Sequence, residues 1–459
     1  MTSSVSGPRG DHHRAILAIA LPSMLTNVAT ALFGLADMWV IGRLGDPTAQ
    51  GGVEVGAKFL ATLLIIFNFL RSGTVALTAQ AAGREDDESQ AATLVRGLAV
   101  AVAVGAVLLV IRTWVVPLGM TMLGAKGRVA ELASLYIHTR YLGGVAWLIN
   151  CVLVGWLIGR KQMRPVLMVE VGSNLFHIAL DVTLVLGFGL GIAGVAVATL
   201  CSELAKLLAL LVIVGRQGPA KQALALLRRS TTWQPSELSV LFRMNRDLFL
   251  RTLLLMSVTV LMTRFGAQQG PVTLAANAII LQLFMLSALV LDGFESAAQV
   301  LCAEALGALD RTRFSQMVRQ IMLWGGGMAL VIAGVYAVWG NPLAASFSTD
   351  ASVQAATLRF GGWSMALPVL GIASFILDGV FIGSSWTRGM LISMAGGLLV
   401  FTGLLFATPG LGNHGLWLAY GLFFVARAVG QALLMPGLMR KSFDVLPVTG
   451  GTLPVPDRS

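Results

Sequence analysis

The sequence predicts an all-α polytopic membrane protein, with twelve transmembrane helices in two six-helix bundles related by pseudo-twofold symmetry along the membrane normal. Three observations predict it. Of 459 residues, 56% are hydrophobic and 12% charged, and mean hydropathy is +0.80; soluble domains carry about 25% charge. The charges fall mostly in short stretches between apolar runs long enough to cross a bilayer. The chain also repeats itself. Gly42-Arg43-Leu44-Gly45 closes the first apolar run and Thr263-Arg264-Phe265-Gly266 the seventh. Gly155-Trp156-Leu157-Ile158-Gly159 closes the fourth and Gly379-Val380-Phe381-Ile382-Gly383 the tenth. Gly189-Leu190-Gly191-Ile192-Ala193-Gly194 opens the sixth and Gly410-Leu411-Gly412-Asn413-His414-Gly415 the twelfth. An even number of spans per half makes the repeats parallel, an arrangement common in transporters that rock two bundles around a central cavity.

In order, the spans are expected at about 15–42, 55–82, 94–116, 129–158, 164–187, 191–214, 246–268, 273–306, 315–340, 353–383, 389–407 and 413–436. This divides the chain into an N-terminal tail (1–14), a first bundle (15–214), a linker (215–245), a second bundle (246–436) and a C-terminal tail (437–459). When loops are assigned alternately to the two sides, the set containing both termini holds roughly 20 Lys and Arg against roughly 7 opposite, which places both termini in the cytoplasm. The net charge of +10 thus sets topology and does not point to nucleic acid. Cys151, Cys201 and Cys302 all lie within apolar runs, so neither a disulfide framework nor a Cys/His metal site is indicated. No cleavable signal peptide is apparent. There is no phosphate-binding Gly-Lys-Ser/Thr loop to support ATP-driven transport, and no enzymatic activity is expected.

The first span contains one carboxylate, Asp37. A bare carboxylate in hydrocarbon costs about 2.5–3.5 kcal/mol, so it should face protein or a water-filled cavity; the alternative is an acid reaching the headgroups near Arg43. Asp37 lies in the outer half of its span, at a rise of about 1.5 Å per residue. Asp181 near the outer end of span 5, His177 one turn before it, and Thr199 about two turns into span 6 reach the same depth. Four polar side chains of one half therefore converge, either as a coupling site or as a structural knot between helices. The second half carries Val258 and Thr402 at the repeat positions of the two acids. Its own ionisable residues are Arg251, Asp292, Glu295 and Asp378. Arg71, the repeat counterpart of Glu295, is expected to pair with it, and Arg251 with Asp292 or Asp378, either to neutralise charge or to bind substrate. Pro22 removes a backbone hydrogen bond from span 1 and permits a kink there.

The chain resembles the multidrug and toxic compound extrusion (MATE) family, in its bacterial DNA-damage-inducible protein F (DinF) branch, essentially from end to end. The marks are Leu21-Pro22 with Leu35-Ala36-Asp37-Met38-Trp39-Val40-Ile41-Gly42, Leu77-Thr78-Ala79-Gln80-Ala81, and Leu180-Asp181-Val182. In the second half they are Asn245-Arg246-Asp247 with Leu250-Arg251, Leu291-Asp292-Gly293-Phe294, Leu377-Asp378-Gly379, and Gly412-Asn413-His414-Gly415-Leu416-Trp417. The resemblance implies an inner-membrane antiporter of a bacterium that exports organic, often cationic, compounds against inward flow of H⁺ or Na⁺, with no cofactor. It also implies a first-half site of a span 1 Asp, a span 5 Asp, an Asn one turn before it and a span 6 Thr, which match Asp37, Asp181, His177 and Thr199. His177 departs from that pattern. An imidazole can carry a proton itself and is a poor ligand for a hard cation, which prefers oxygen. The family's other branch places an acid in span 7 for Na⁺, where this chain has Asp247 only at the edge and the basic Arg251. H⁺ is therefore the expected coupling ion.

The expected cycle loads a proton on Asp37 and Asp181 from outside, releases a carboxylate that holds span 1 or a substrate cation, and bends span 1 near Pro22. Small organic substrates and membrane lipid are the expected partners, with the protein monomeric. A flippase of lipid-linked precursors is the nearer alternative and would need a cavity rich in Arg and Lys, where Arg71 and Arg251 are the clearest candidates. A non-transporting scaffold or receptor is the more distant one, and leaves the repeat and the converging acids unexplained.

Overall fold

The structure, a computed structural model, describes residues 9–444, and every regular element among them is helical. The chain begins with α1 (Arg9–Gly42), α2 (Pro47–Ile65), α3 (Phe69–Gly83) and α4 (Asp87–Met122). It continues with α5 (Gly127–Tyr141), α6 (Gly144–Gly159), α7 (Met163–Asp181), α8 (Gly191–Gly215) and the short α9 (Gly218–Leu227). Then come α10 (Pro235–Gln268), α11 (Pro271–Gly307), α12 (Arg311–Ser346), α13 (Ala351–Phe360), α14 (Gly362–Gly383), α15 (Thr387–Ala407) and α16 (Gly412–Phe443). Among the described residues, eleven helices or continuous helical stretches are long and apolar enough to cross a membrane, and twelve spans result when α5 and α6, bent by 49°, are taken as one. Large apolar side chains stand exposed along them, for instance Leu32, Trp114, Phe188, Leu330, Leu399 and Leu433.

Several boundaries differ from expectation. α10 begins at Pro235, within the stretch expected as linker, and the rest of that stretch holds α9. α9 packs its apolar side, with Leu226, on Ala91, Ala92 and Val95 of α4. α1 starts at Arg9 and α16 runs to Phe443, so both helices extend into the stretches expected as tails. The remainder of the expected tails, 1–8 and 445–459, lies outside the described residues.

Side-chain caps set several helix starts. Asp46 accepts from the backbone N–H groups of Thr48 and Ala49, with Pro47 in the first turn. Asp86 caps α4, Asp310 caps α12 and Asp350 caps α13 in the same way. The backbone hydrogen bonds from Ala49 and Thr48 hold the Asp46 carboxyl below its ordinary range, and the Ser352 hydroxyl and the Val353 N–H do so for Asp350.

The contacts group the chain into two compact units. One is Leu25–Leu241; the other joins the described residues through Met24 to those from Phe242 onward. α1 therefore contributes to both, and the division falls just after Pro22, through which α1 runs as one helix. In the first unit α3 packs on α6, α4 on α6, α7 on α8 and α6 on α8; in the second, α11 packs on α14, α12 on α14, α15 on α16 and α14 on α16.

The repeat extends to single residues. A Cβ on Gly155 would stand 2.6 Å from the Arg71 carbonyl oxygen, and one on Gly159 2.8 Å from that of Val75. In the second unit, Gly379 and Gly383 press in the same way on the carbonyls of Glu295 and Gln299. Each pair is a small-x-x-x-small contact that lets two helix backbones meet. Glu85 and Leu309, just before the corresponding caps Asp86 and Asp310, both take positive φ (57° and 55°); so do Lys161 and Ser385 (58° each) after α6 and α14. Positive φ is uncommon outside glycine, so its recurrence at matched positions marks two copies of one design.

Candidate functional site

The first unit buries three ionisable side chains against one another. Asp37, on the later part of α1, and His177 and Asp181, one turn apart on α7, are 5%, 0% and 0% exposed. His177 Nε2 lies 2.6 Å from Asp37 Oδ1 and 3.0 Å from Asp181 Oδ2. Only the first contact has hydrogen-bond alignment; both Asp181 oxygens are buried without an aligned donor. On the far side of the ring, Nδ1 is 3.4 Å from Ser202 Oγ of α8. Phe33, one turn before Asp37, lies over the imidazole with ring centroids 4.1 Å apart.

Local structure favours this gathering. His177 and Asp181 are i and i+4 on α7 and so share a face. Directly after Asp181 the backbone widens into a π-helical turn, Val182–Gly187, a feature frequent at functional sites. The turn to α8 then uses Gly189 and Gly191 at positive φ (68° and 54°), where a side chain would be strained.

Ser202 Oγ donates to the Thr199 carbonyl at 2.8 Å, which leaves its lone pairs on the side of Nδ1. An imidazolium ring would donate at Nδ1 to Ser202 and at Nε2 to Asp37, and the face of Phe33 would favour that charge. The nitrogen, two carboxylates and their spacing also form a group whose ligand atoms all lie within 4.8 Å of one another and could hold a metal ion.

Thr199, matched to this site from the sequence, turns its hydroxyl onto Val195 O of its own helix at 3.0 Å. Ser202, one turn further on, is the α8 residue that reaches the histidine. Sequence reasoning missed it, because a serine in an apolar span is common and carries no charge signal. It also missed a second polar group in the same unit. There Lys206 Nζ meets Glu170 Oε2 at 2.7 Å, Asn150 Nδ2 donates to Glu203 Oε2 at 2.9 Å, and Arg140 donates to Tyr136 Oη at 2.5 Å. These charged residues stand inside apolar runs, and that was the signal available.

The second unit has its own cluster. Asp378 Oδ2 accepts from Arg251 at 2.5 Å and from Arg427, and Oδ1 accepts from Gln431 at 2.7 Å. Of the two partners considered for Arg251, Asp378 takes it, while Asp292 and Glu295 lie within electrostatic reach of the cluster. Arg427 and Gln431, on α16, were not foreseen. Arg71 and Glu295 are half-buried residues of different units, and Pro22 sits within α1.

A duplicated helical membrane fold with a buried polar cluster in each unit fits the class of secondary membrane transporters. The family model MatE matches residues 22–183 and 248–406. DNA damage-inducible protein F of Escherichia coli (strain K12) is 35% identical over 426 residues, 92% of this chain and 91% of that protein. The multidrug export protein MepA of Staphylococcus aureus is 20% identical over 382 residues, 83% of each. A crystal structure of MATE in the bent conformation superposes with a TM-score of 0.86 at 20% identity, covering 95% of this chain and 98% of that one. The chain belongs to the MatE family, and is a multi-pass membrane transporter, not an enzyme.

Proposed function

We propose that the protein is a secondary antiporter that exports lipophilic organic cations in exchange for H⁺, through alternating access of two helical bundles. The observation that carries this reading is the proximity of one imidazole nitrogen of His177 to two buried carboxylates, 2.6 Å from Asp37 and 3.0 Å from Asp181. With a neutral ring the group holds two negative charges out of water, and with an imidazolium it holds one. Buried net charge is costly, so the group has places for protons, and Asp181 has oxygens without an aligned donor to receive one.

A proton arriving from outside gains about 2.3 kcal/mol per 100 mV of membrane potential. Protonation of Asp37 weakens its hold on His177 and on any bound organic cation. The later part of α1 is then free to move about Pro22, next to which the chain divides between units. MepA is named a multidrug export protein, which supports organic compounds as cargo. The Lys and Arg distribution supports an inner-membrane location with both termini in the cytoplasm, and no bound cofactor is required.

Na⁺ is the second reading, favoured by the clustering of three ligand groups. A hard cation held at about 2.3–2.6 Å from oxygen would have to push apart a nitrogen and an oxygen now 2.6 Å from each other. That spacing fits a shared proton.

The test is export of a fluorescent organic cation from proteoliposomes, with H⁺ and Na⁺ gradients imposed separately. Export driven by ΔpH alone, lost in Asp37→Asn, supports the reading. An absolute Na⁺ requirement overturns the H⁺ assignment. No export under either gradient turns attention to lipid-linked substrates and to Arg71 and Arg251.

A further inference from the structure

Below the coupling group, one face of α7 carries a file of polar residues, Glu170, Asn174, His177 and Asp181, at successive spacings of four, three and four. The facing side of α8 carries Thr199, Ser202, Glu203 and Lys206. The two helices pack along this seam. Two contacts close its middle and lower parts: Ser202 Oγ lies 3.4 Å from His177 Nδ1, and Lys206 Nζ lies 2.7 Å from Glu170 Oε2. The Glu170 and Lys206 side chains are only 11% and 14% exposed. Seven residues along α7 put Glu170 about 10 Å nearer the start of the helix than His177, on the side of the expected cytoplasmic loop.

Two further polar atoms lie along this file. Asn174 Nδ2, between Glu170 and His177 on the same face, is a buried donor with no partner. Asn150 Oδ1, beside Glu203, is a buried acceptor with no partner. A settled structural network leaves few such atoms, and each asks for an explanation. A path that must accept a proton and then give it up has a use for unfilled donor and acceptor sites.

We propose that Glu170, paired with Lys206, is the relay that takes the coupling proton from His177 and releases it to the cytoplasm. This rests on the proton-antiport reading given above. The imidazolium breaks its Nδ1–H bond, Ser202 Oγ gains that proton, and the Ser202 hydroxyl hydrogen passes to water beside Asn174. Water in turn protonates the Glu170 carboxylate, which loses its ion pair with Lys206 and delivers the proton to cytoplasmic water. His177 returns to neutral imidazole, Ser202 to a hydroxyl and Glu170 to carboxylate, so one proton crosses and nothing is oxidised or reduced. Lys206 restores the waiting state by pairing with the emptied carboxylate.

The experiment compares wild type, Glu170→Gln and the double variant Glu170→Gln/Lys206→Met in proteoliposomes that hold a pH-sensitive dye on the cytoplasmic side of the transporter. Two processes are measured: ΔpH-driven export of a fluorescent organic cation with its accompanying proton release, and counterflow of that cation without a gradient. Removing an acid that carries the proton is expected to slow driven export and proton release on the order of 100-fold, with counterflow retained. The double variant removes both members of the Glu170–Lys206 ion pair, so a purely structural pair would restore driven export there. A relay would not. Restored coupling in the double variant, or wild-type proton release by Glu170→Gln, overturns the proposal. Loss of counterflow in Glu170→Gln with recovery of every activity in the double variant overturns it equally. Wild type that ignores ΔpH refutes the underlying proton-antiport reading, a result distinct from all of these.

Discussion

The imidazole Nε2 of His177 and the carboxylate Oδ1 of Asp37 stand 2.6 Å apart although 140 residues separate them in the chain. Through this contact the later part of α1 is tied to α7 at a point where both side chains are shielded from solvent. Any event that changes the proton count of either group acts directly on that tie.

Asp37→Asn keeps the shape of the side chain and removes its charge. Gradient-driven export is expected to fall to background while the protein remains inserted and monodisperse by size-exclusion chromatography. Full export by this variant would exclude Asp37 from coupling.

His177→Asn replaces an imidazole with an amide oxygen, a better ligand for a hard cation beside two carboxylates. Transport by the variant is expected to lose much of its response to ΔpH and to gain stimulation by NaCl over choline chloride. An unchanged ΔpH response would show that the ring does not carry the proton.

Arg427→Met leaves Asp378 with Arg251 and Gln431 but strips one guanidinium from a carboxylate that is 1% exposed. Breaking such a buried pair costs about 3–5 kcal/mol. A marked fall in thermal midpoint in detergent is expected, and a midpoint equal to wild type would mean that the cluster is not a stability element.

Gly383→Ala places a methyl against the Gln299 carbonyl where α11 and α14 meet. The backbones must separate, at a cost of about 1–3 kcal/mol, so thermal stability should drop. Gly172→Ala on α7, which has open space around it, is the control and should be neutral.

The caps respond to pH with a defined sign. The Asp350 carboxyl sits below its ordinary range in the folded protein because it accepts from the Ser352 hydroxyl and from backbone N–H groups. Its contribution to the start of α13 is present above the unfolded carboxylate range and is lost as pH falls through the lowered folded value. Hydrogen exchange at the Ser352 and Val353 amides should therefore quicken on acidification beyond the intrinsic pH trend. Asp350→Ala should abolish that excess.

The sequence by itself determined the membrane class, the number of long apolar segments, the duplication of the chain and that Asp37, His177 and Asp181 belong together. These follow from one-dimensional constraints: bilayer thickness fixes segment length, the cost of charge in hydrocarbon singles out the acids, and helical rise converts position into depth. Only the tertiary structure decided which polar atoms meet. Thr199 and Ser202 sit one turn apart on α8, and a small difference in helix rotation hands the histidine to Ser202. Asp292 and Asp378 were equal candidates for Arg251 until the packing of α10, α14 and α16 set Arg251 and Arg427 on the same oxygen of Asp378. Depth is a property of the chain, whereas azimuth around each helix axis is set by which small residues let neighbours approach. Gly155, Gly159, Gly379 and Gly383 announced those approaches without naming the helices they would admit.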